Sequence, residues 1–283
     1  MILIVESGAT KSDWRAVSKD GKEMKKIIAD GVNVSTMKAS AVKDIFSEVA
    51  RQFTREGVSE IYIYTAGVVS EEMETVIKDA LAESMPEASC EIQNDLIAAA
   101  RAACGHSEGI AAIVGTGSNS CLYDGTQIIG RVYSGGFILG DEGSAATLGK
   151  LFIADFLKGL VPAEIVADFA ARYDSDYATI VQNVYRSETS PSGYLGSLAP
   201  FIMEHYDNDY IRELVEGNFR AFIRRSLKQY GTERYPVGVV GGFGYALKEI
   251  FTKVAEEEGV RISRFIKEPI DGLIAYHLEE SDR

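Results

Sequence analysis

Residues 109–144 read GIAAIVGTGSNSCLYDGTQIIGRVYSGGFILGDEGS, and this stretch decides the fold class that the sequence predicts. Two apolar strands flank a Gly-Thr-Gly turn, and a glycine-rich loop then ends in an acidic pair that opens a helix. Glycine in such a turn lets backbone N–H groups approach a ligand closely, and phosphate is a common ligand of these turns. The stretch therefore predicts one half of a nucleotide-dependent phosphotransfer site.

The start of the chain repeats this pattern. Ile2–Glu6 is a short apolar run, Ser7–Thr10 contains a turn glycine, and Lys11–Val17 partly alternates polar and apolar residues. Alone, this pattern predicts only a β-hairpin. Together with the second hairpin at Ile110–Tyr123, it indicates a structural repeat in which two turns face each other across a cleft and hold a polyphosphate.

Strand and helix patterns alternate through the chain. We predict a helix at Ala39–Glu56, a strand at Ile61–Thr65, a helix at Ser70–Ser84 and a strand at Cys90–Gln93. This alternation is typical of an α/β domain with a partly parallel sheet. The remaining predicted elements are helices at 141–158, 162–171, 177–185, 193–205, 209–230, 245–258 and 272–280, and a strand at 237–240.

Asp95 follows the strand that ends in Gln93 and enters an alanine-rich helix. Active sites of α/β folds lie beyond the carboxyl ends of the strands, so this carboxylate is a candidate general base. The alternative is an N-cap that accepts a hydrogen bond from a free amide. The pair Asp141-Glu142 has the same alternative, a cap with charges that complement the helix dipole.

Composition limits the function classes. The chain has 283 residues, of which 46% are hydrophobic and 25% charged, as in ordinary globular proteins. The net charge of −13 argues against nucleic-acid and anionic-membrane partners. It does not exclude a phosphate that backbone amides hold.

The cysteines and the N-terminus indicate an intracellular protein. Cys90, Cys104 and Cys121 show no C-x-x-C spacing, which favours reduced core cysteines. The first residues turn acidic too quickly for a signal peptide, and no apolar run reaches the roughly 18 residues of a membrane helix. We therefore expect a cytoplasmic protein.

Several common motifs are missing from the sequence. It contains no G-x-x-x-x-G-K-[ST] and no G-x-S-x-G, which excludes a P-loop enzyme and the usual serine-hydrolase elbow. Gly241–Gly244 follows a buried-type strand and fits a nucleotide, but it is not the G-x-G-x-x-G of dinucleotide-binding folds.

Five segments carry a family resemblance: ESGATK at 6–11, ND at 94–95, GTGSN at 115–119, GGFILGDEGS at 135–144 and VVGGFG at 239–244. Their set and order resemble the sugar kinase, heat-shock ATPase and actin superfamily, and within it the N-acetylglucosamine kinase and benzoyl-CoA reductase ATPase family. The resemblance implies two ribonuclease H-like domains around an interdomain cleft, the actin-like ATPase fold. The implied domains are 1–106 plus 269–283, and 107–268 with a helical insertion.

The same resemblance implies roles for individual residues. ATP is implied as cofactor, and its binding residues are Gly8, Ala9, Thr10, Lys11, Gly115, Thr116, Gly241, Gly242 and Gly244. The implied sugar-binding residues are Asn33, Asp95, Ser118, Asn119, Gly136 and Asp141, with Asp95 also the catalytic base. A homodimer is implied as the assembly.

The first motif departs from the family pattern. It begins with Glu6 where Asp and several glycines are usual. Glutamate is one methylene longer and is expected to hold Mg²⁺ through a water molecule. The cysteines of an iron–sulfur cluster, which the reductase activators carry, are missing, and this favours the sugar-kinase branch.

The resulting hypothesis is an ATP- and Mg²⁺-dependent kinase that phosphorylates the 6-hydroxyl of N-acetylglucosamine. Two alternatives remain open at this point. One is an ATPase that activates a reductase partner, and the other is a non-catalytic sensor of a sugar or nucleotide.

Overall fold

A computed structural model of the chain describes residues 1–8, 11–35, 37–67, 70–186 and 190–281. The chain divides into two compact units. The first comprises Met1–Ser107, Gly125–Gln127 and Glu268–Arg283, and the second comprises Glu108–Asp124 and Ile128–Lys267. Each unit is built on a five-stranded sheet.

The sheet of the first unit combines antiparallel and parallel pairing. Its strands are β1 (Ile2–Ser7), β2 (Lys11–Val17), β3 (Glu23–Asp30), β4 (Glu60–Thr65) and β5 (Ser89–Asn94). They lie in the order β3-β2-β1-β4-β5, in which the β1–β2 and β2–β3 pairs are antiparallel and the β1–β4 and β4–β5 pairs are parallel. The central strand β1 is apolar on both faces because both faces are covered.

Helices cover both faces of this sheet. They are α1 (Ala39–Ala50), which a 3₁₀ turn at Arg51–Phe53 extends, α2 (Glu71–Ala82), α3 (Asp95–Cys104) and the C-terminal helix α13 (Ile270–Ser281). Leu3 and Val5 face the core that α1 and α2 complete. Ile2 and Ile4 face the opposite core, which α3 and α13 complete.

A close contact between α3 and α13 requires glycine. A Cβ atom added at Gly272 would lie 2.8 Å from the Cα atom of Ala102, which is shorter than side chains tolerate. This approach carries α13 against α3 on the face of the sheet where Asp95 begins α3.

The second sheet repeats the topology of the first. Its strands are β6 (Gly109–Val114), β7 (Ser118–Tyr123), β8 (Ile128–Val132), β9 (Val237–Val240) and β10 (Ile262–Ile266). The order β10-β9-β6-β7-β8, with β6–β7 and β7–β8 antiparallel and β6–β9 and β9–β10 parallel, corresponds strand for strand to that of the first sheet. The repeat that the two hairpins predict is therefore confirmed at the level of the sheets.

Helices dominate the rest of the second unit. They are α4 (Gly136–Leu139), α5 (Ala145–Leu157), α6 (Ala163–Arg172), α7 (Tyr177–Val181), a π-helical segment (Gln182–Arg186), α8 (Pro191–Ser197), α9 (Ala199–Glu204), α10 (Asp209–Arg225), a 3₁₀ turn (Leu227–Tyr230), α11 (Gly242–Ala246) and α12 (Lys248–Glu257). Phe152, Phe169 and Phe201 pack ring to ring in their core.

Three strands, β3, β8 and β10, have no counterpart among the elements predicted from sequence. All three are edge strands, and each pairs with a single neighbouring strand. Several predicted helices were wrong in extent. The helix predicted for 193–205 is interrupted at Leu198, and the helix predicted for 209–230 is α-helical only to Arg225. The helix predicted for 141–158 begins at Ala145, and the helix predicted for 245–258 is interrupted at Leu247.

Across the parts of the chain that the structure describes, no helix combines the length and the apolar character needed to cross a membrane.

Candidate active site

In the first unit, three strand ends meet at one edge of the sheet. Ser7 of β1 is aligned with Thr65 of β4, and Thr65 is aligned with Asn94 of β5. Glu6, Gly8 and Asp95 all lie next to one of these ends. The parallel pairing therefore gathers the predicted first-unit residues at the carboxyl edge, where α/β folds bind ligands.

Asp95 is the first residue of α3, and it is not the cap of that helix. The cap is Asn94, whose side-chain oxygen accepts a hydrogen bond from the Ile97 N–H at 3.0 Å. The alternative interpretation of Asp95 as an N-cap was therefore wrong. Its carboxylate stands at a helix N-terminus, which favours negative charge.

Glu6 lies in an acidic environment close to Asp95. Burial raises the pKa of the Glu6 carboxyl to about 7, and the charge of Lys11 opposes this rise. The carboxylates of Asp13, Asp95 and Glu268 raise it further. Glu6 is paired with Asp13 across the β1–β2 ladder, so the two acids lie side by side. A cation placed here would relieve the repulsion between these acids.

The turn between β1 and β2 is closed by a backbone hydrogen bond. The Gly8 N–H donates to the carbonyl of Lys11 at 3.0 Å. The Lys11 ammonium is held by Glu268, with 2.5 Å between Nζ and Oε1. Ala9 and Thr10, predicted as phosphate-binding residues, lie outside the described residues.

Asn33 reaches the same sheet edge through an isolated parallel bridge to Ala66, the residue that follows β4. Its side-chain oxygen accepts a hydrogen bond from the Ser35 N–H at 3.0 Å. A Cβ atom at Gly67 would lie 2.6 Å from that oxygen, so the glycine makes room for it. The structure thus places Asn33 at the edge where Asp95 begins its helix.

In the second unit, the predicted phosphate turn docks on the start of α5. The carbonyls of Gly115 and Thr116 accept hydrogen bonds from the N–H groups of Ala145 and Ala146 at 3.0 and 3.1 Å. The Gly115 N–H donates to the Gly117 carbonyl at 2.9 Å, and Thr116 is exposed. The turn is therefore fixed from one side by a helix terminus, and the Thr116 side chain remains accessible.

Asp141 is buried and has a left-handed backbone conformation with φ of 55°. A Cβ atom on Gly117 would lie 2.9 Å from its Oδ2, so the turn needs glycine for this contact. Burial raises the pKa of Asp141, and hydrogen bonds from the Ser118 N–H and the Ser134 side chain oppose the rise. The prediction of Asp141 as a helix cap was wrong, because Ser144 caps α5 by accepting from the Thr147 N–H at 3.1 Å.

The other predicted sugar-binding residues of this unit are Ser118 and Asn119 at the start of β7 and Gly136 in the loop before Asp141. The buried Ser118 hydroxyl donates to the Glu142 carbonyl at 2.7 Å, and so joins the turn to the Asp141 segment. The Asn119 side-chain oxygen accepts from the Ser120 N–H at 3.0 Å. Gly136 has φ of 70°, and a Cβ atom added there would meet no atom within 4 Å, so its surroundings are open.

Glycine has a different structural role at each end of the 241–244 turn than at Gly242. A Cβ atom at Gly241 would lie 2.5 Å from the Val114 carbonyl oxygen, and one at Gly244 would lie 2.9 Å from the Val114 side chain. These two glycines let α11 approach β6 closely. Gly242 has no atom within 4 Å of a Cβ position and is exposed, which leaves space for a ligand beside it.

Sequence reasoning missed Glu268, Ser134, Asn218 and Tyr230. A signal existed for Asn218, because it occupies the apolar stripe of α10 together with Ile211, Val215 and Phe222. A buried polar residue on such a stripe needs hydrogen-bond partners. The partners themselves are visible only in the tertiary structure.

Two sheets of identical topology, each with a glycine turn after its first strand, define the class of this protein as the actin-like ATPase fold. No protein-family model and no curated protein sequence matches the chain. The crystal structure of a putative N-acetylglucosamine kinase from Porphyromonas gingivalis is 34% identical, with a TM-score of 0.91 and coverage of 99% of this chain and 100% of that chain.

At this identity over the full length, the chain belongs to the N-acetylglucosamine kinase family, a family of ATP-dependent sugar kinases. Two solved structures at 16% identity share the fold. One is a putative N-acetylglucosamine kinase from Chromobacterium violaceum, with a TM-score of 0.75 over 97% of this chain and 98% of that chain. The other is a ROK family glucokinase from Streptomyces griseus in complex with glucose and AMPPNP, with a TM-score of 0.58 over 97% of each chain.

Proposed function

We propose that the protein transfers the γ-phosphoryl group of ATP to the 6-hydroxyl of N-acetylglucosamine, with Asp95 as the general base. The observation that carries this proposal is the position of Asp95 at the carboxyl edge of the first sheet, where Asn94 makes the cap hydrogen bond in its place. The description of the relative at 34% identity as a putative N-acetylglucosamine kinase supports the choice of acceptor.

Asp95 accepts the proton of the acceptor hydroxyl as the new bond forms. The hydroxyl oxygen attacks the γ-phosphorus, an oxygen–phosphorus bond forms, and the bond to the bridging β,γ-oxygen breaks. ADP leaves with the electron pair of that bond. Positioning of the hydroxyl and stabilisation of charge supply most of the acceleration in this kind of transfer.

The glycine turns are the phosphate-binding elements in this proposal. They are Gly8 and Lys11 in the first unit, and Gly115 and Thr116 in the second. The Lys11 ammonium has three donors and its side chain is half exposed, so it can donate to phosphate in addition to Glu268. We place the adenosine at Gly242, where the exposed glycine leaves room.

The acceptor-binding residues of this proposal are Asn33 in the first unit and, in the second, the loop that contains Asp141. Asp141 is a hydrogen-bond acceptor whose carboxylate is fixed by Ser118 and Ser134. Ser118, Asn119 and Gly136 complete the set on the same unit. Fixed acceptors of this kind suit the hydroxyl and amide groups of an amino sugar.

The acids around Glu6 fit a magnesium ion that is held mainly through water and phosphate. Among the residues that the structure describes, no three His, Cys, Asp or Glu side chains are arranged to hold a metal. Magnesium usually takes one or two protein carboxylates, several waters and substrate phosphates, so Glu6 suffices as an anchor. When bound, Mg²⁺ neutralises charge on the phosphates.

The test is ADP release, coupled to an optical readout, across a panel of hexoses and amino sugars. We expect N-acetylglucosamine to give the highest kcat/KM, and we expect NMR of the product to show phosphate on the 6-oxygen. ATP hydrolysis that no sugar stimulates would favour the reductase-activator alternative. Sugar binding without turnover would favour the sensor.

Asp95→Asn tests the base. We expect kcat to fall at least about a hundredfold with little change in the acceptor KM, as for a lost general base. Asp79→Asn, at an exposed position of α2, is the matched control and should behave as the wild type. An unchanged kcat in Asp95→Asn would show that Asp95 is not the base.

The family resemblance also leads us to propose a homodimer. Sedimentation velocity of the purified protein at several concentrations tests the assembly, and a single species with the mass of one 283-residue chain would contradict it.

A further inference from the structure

The segment from Tyr133 to Ser144 connects β8 to α5 and carries the predicted acceptor-binding residues Gly136 and Asp141. Most of its large apolar side chains do not contribute to the core. Tyr133, Ile138 and Leu139 are 82%, 73% and 81% exposed. One contact holds the middle: Phe137 packs against the core of the second unit, and its carbonyl accepts a hydrogen bond from the Lys150 ammonium at 2.6 Å. The backbone on either side of Phe137 is held from the two ends of the segment.

The first end is fixed by the phenol of Tyr230, from the 3₁₀ turn that follows α10. The Val132 N–H donates to the phenol oxygen at 2.6 Å. The phenol donates in turn to the Ser120 carbonyl at 2.9 Å. The Ser120 hydroxyl lies 3.1 Å from the phenol oxygen and is the second group that donates to it. A phenol offers one donor and two acceptor positions, so all three are used.

This anchor is connected to Asp141 through Ser134. Val132, which Tyr230 holds, is two residues before Ser134. The Ser134 carbonyl accepts a hydrogen bond from the Asp141 N–H at 3.1 Å, and its side chain bonds to the Asp141 carboxylate. A shift at Val132 is therefore transmitted to Asp141 over a short path.

The second end is fixed by Asn218 from the middle of α10. Its side-chain oxygen accepts from the Gly143 N–H at 2.8 Å, and its side-chain nitrogen donates to the Ser144 carbonyl at 3.0 Å. Asn218 is only 3% exposed. Both atoms of one buried amide thus hold two consecutive backbone groups, which sets position and orientation together.

We propose that Tyr230 and Asn218 are positioning residues of the acceptor site, which hold the two ends of the 133–144 segment and thereby place Asp141 for the sugar. This role rests on the proposed kinase function. The α10 region contains no glycine turn and no residue predicted to bind a substrate. In this proposal it nevertheless affects the affinity for the acceptor.

The test is a set of steady-state measurements on Tyr230→Phe with both substrates varied. The change removes one oxygen atom and leaves the ring, so the fold is retained. We expect the acceptor KM to rise about tenfold, with kcat within about threefold and the ATP KM within about twofold of the wild type. A residue with only a structural role would lower Tm without this selective change in acceptor KM.

Tyr210→Phe is the matched control. Tyr210 lies on α10 itself, and its hydroxyl donates to the Asp155 carboxylate at 2.9 Å, away from the 133–144 segment. Tyr210→Phe also loses one phenol hydrogen bond, so a fall in Tm is expected with wild-type kinetics. Asn218→Ala is the second variant and should raise the acceptor KM as Tyr230→Phe does.

The outcomes separate the two levels of inference. An active wild-type enzyme whose acceptor KM is the same in Tyr230→Phe and Asn218→Ala would overturn the positioning role and leave the kinase function in place. An equal rise in acceptor KM in Tyr210→Phe would also overturn it. Wild-type protein without turnover on any sugar would refute the proposed function and the positioning role with it.

Discussion

Replacement of Glu6 by glutamine should stabilise the protein at alkaline pH. The side chain lies among acids on the first sheet, and burial raises the pKa of its carboxyl from an ordinary 4.5 to about 7. The native state therefore binds a proton more tightly than the unfolded state does. For such a group, stability is greatest at low pH and falls as pH rises from 4.5 to about 7.

The magnitude follows from the two pKa values. Each pH unit between them corresponds to about 1.4 kcal/mol. Linkage then gives a destabilisation by the ionised Glu6 of about 1 kcal/mol at pH 5 and about 3 kcal/mol at pH 8. Glutamine is nearly the same size and stays neutral, so the advantage of Glu6→Gln should grow by about 2 kcal/mol between these pH values.

Urea denaturation followed by tryptophan fluorescence measures this difference directly. Trp14 is the single tryptophan of the chain and is fully buried in the first unit, so its emission reports the unit that contains Glu6. Glu87→Gln, at an exposed position between α2 and β5, is the control and should show no growth of the difference with pH. A Glu6→Gln advantage that stays constant or shrinks from pH 5 to pH 8 would refute the reasoning.

Three further outcomes follow from single contacts. Burial lowers the pKa of His277 to about 3, so the protein should lose about 2 kcal/mol of stability between pH 7.5 and pH 5. In urea titrations, His277→Gln should flatten this dependence on pH, although the variant loses the hydrogen bond to Tyr64. Gly272→Ala should lower Tm because its Cβ would meet Ala102, whereas Gly217→Ala, with no atom within 4 Å, should raise stability by up to about 1 kcal/mol. A neutral Gly272→Ala, or an unchanged pH slope in His277→Gln, would contradict these assignments.

Local patterns were enough to predict the parts of the fold that local interactions stabilise. The hairpin at β1 and β2 and the hairpin at β6 and β7 each combine an apolar run, a glycine turn and an outgoing strand within about 20 residues. The position of Asp95 at a strand–helix junction followed from the same kind of pattern. These features depend on neighbours in sequence, which is why they were predictable.

The exact residue at which a helix begins was not predictable from the sequence. Asn94 and Asp95 are both good cap residues, and only the backbone geometry shows that Asn94 makes the cap. Asp141 was expected to begin a helix, but it has a left-handed conformation, and the helix begins four residues later at Ala145, with Ser144 as its cap. The Asp141 carboxylate in turn needs the space that Gly117, in the turn between β6 and β7, leaves for it.

The sequence by itself indicated an α/β fold, two glycine turns and a candidate base, because periodicity and turn chemistry depend on adjacent residues. The two-domain actin-like fold was implied by the family resemblance. Tertiary structure alone decided which atoms hold the 133–144 segment. Tyr230 and Asn218 lie on a helical stretch of ordinary pattern, and their partners are about 75 to 110 residues away in the chain. Hydrogen bonds between such distant groups form only after the sheet and helices have packed, so no local pattern encodes them.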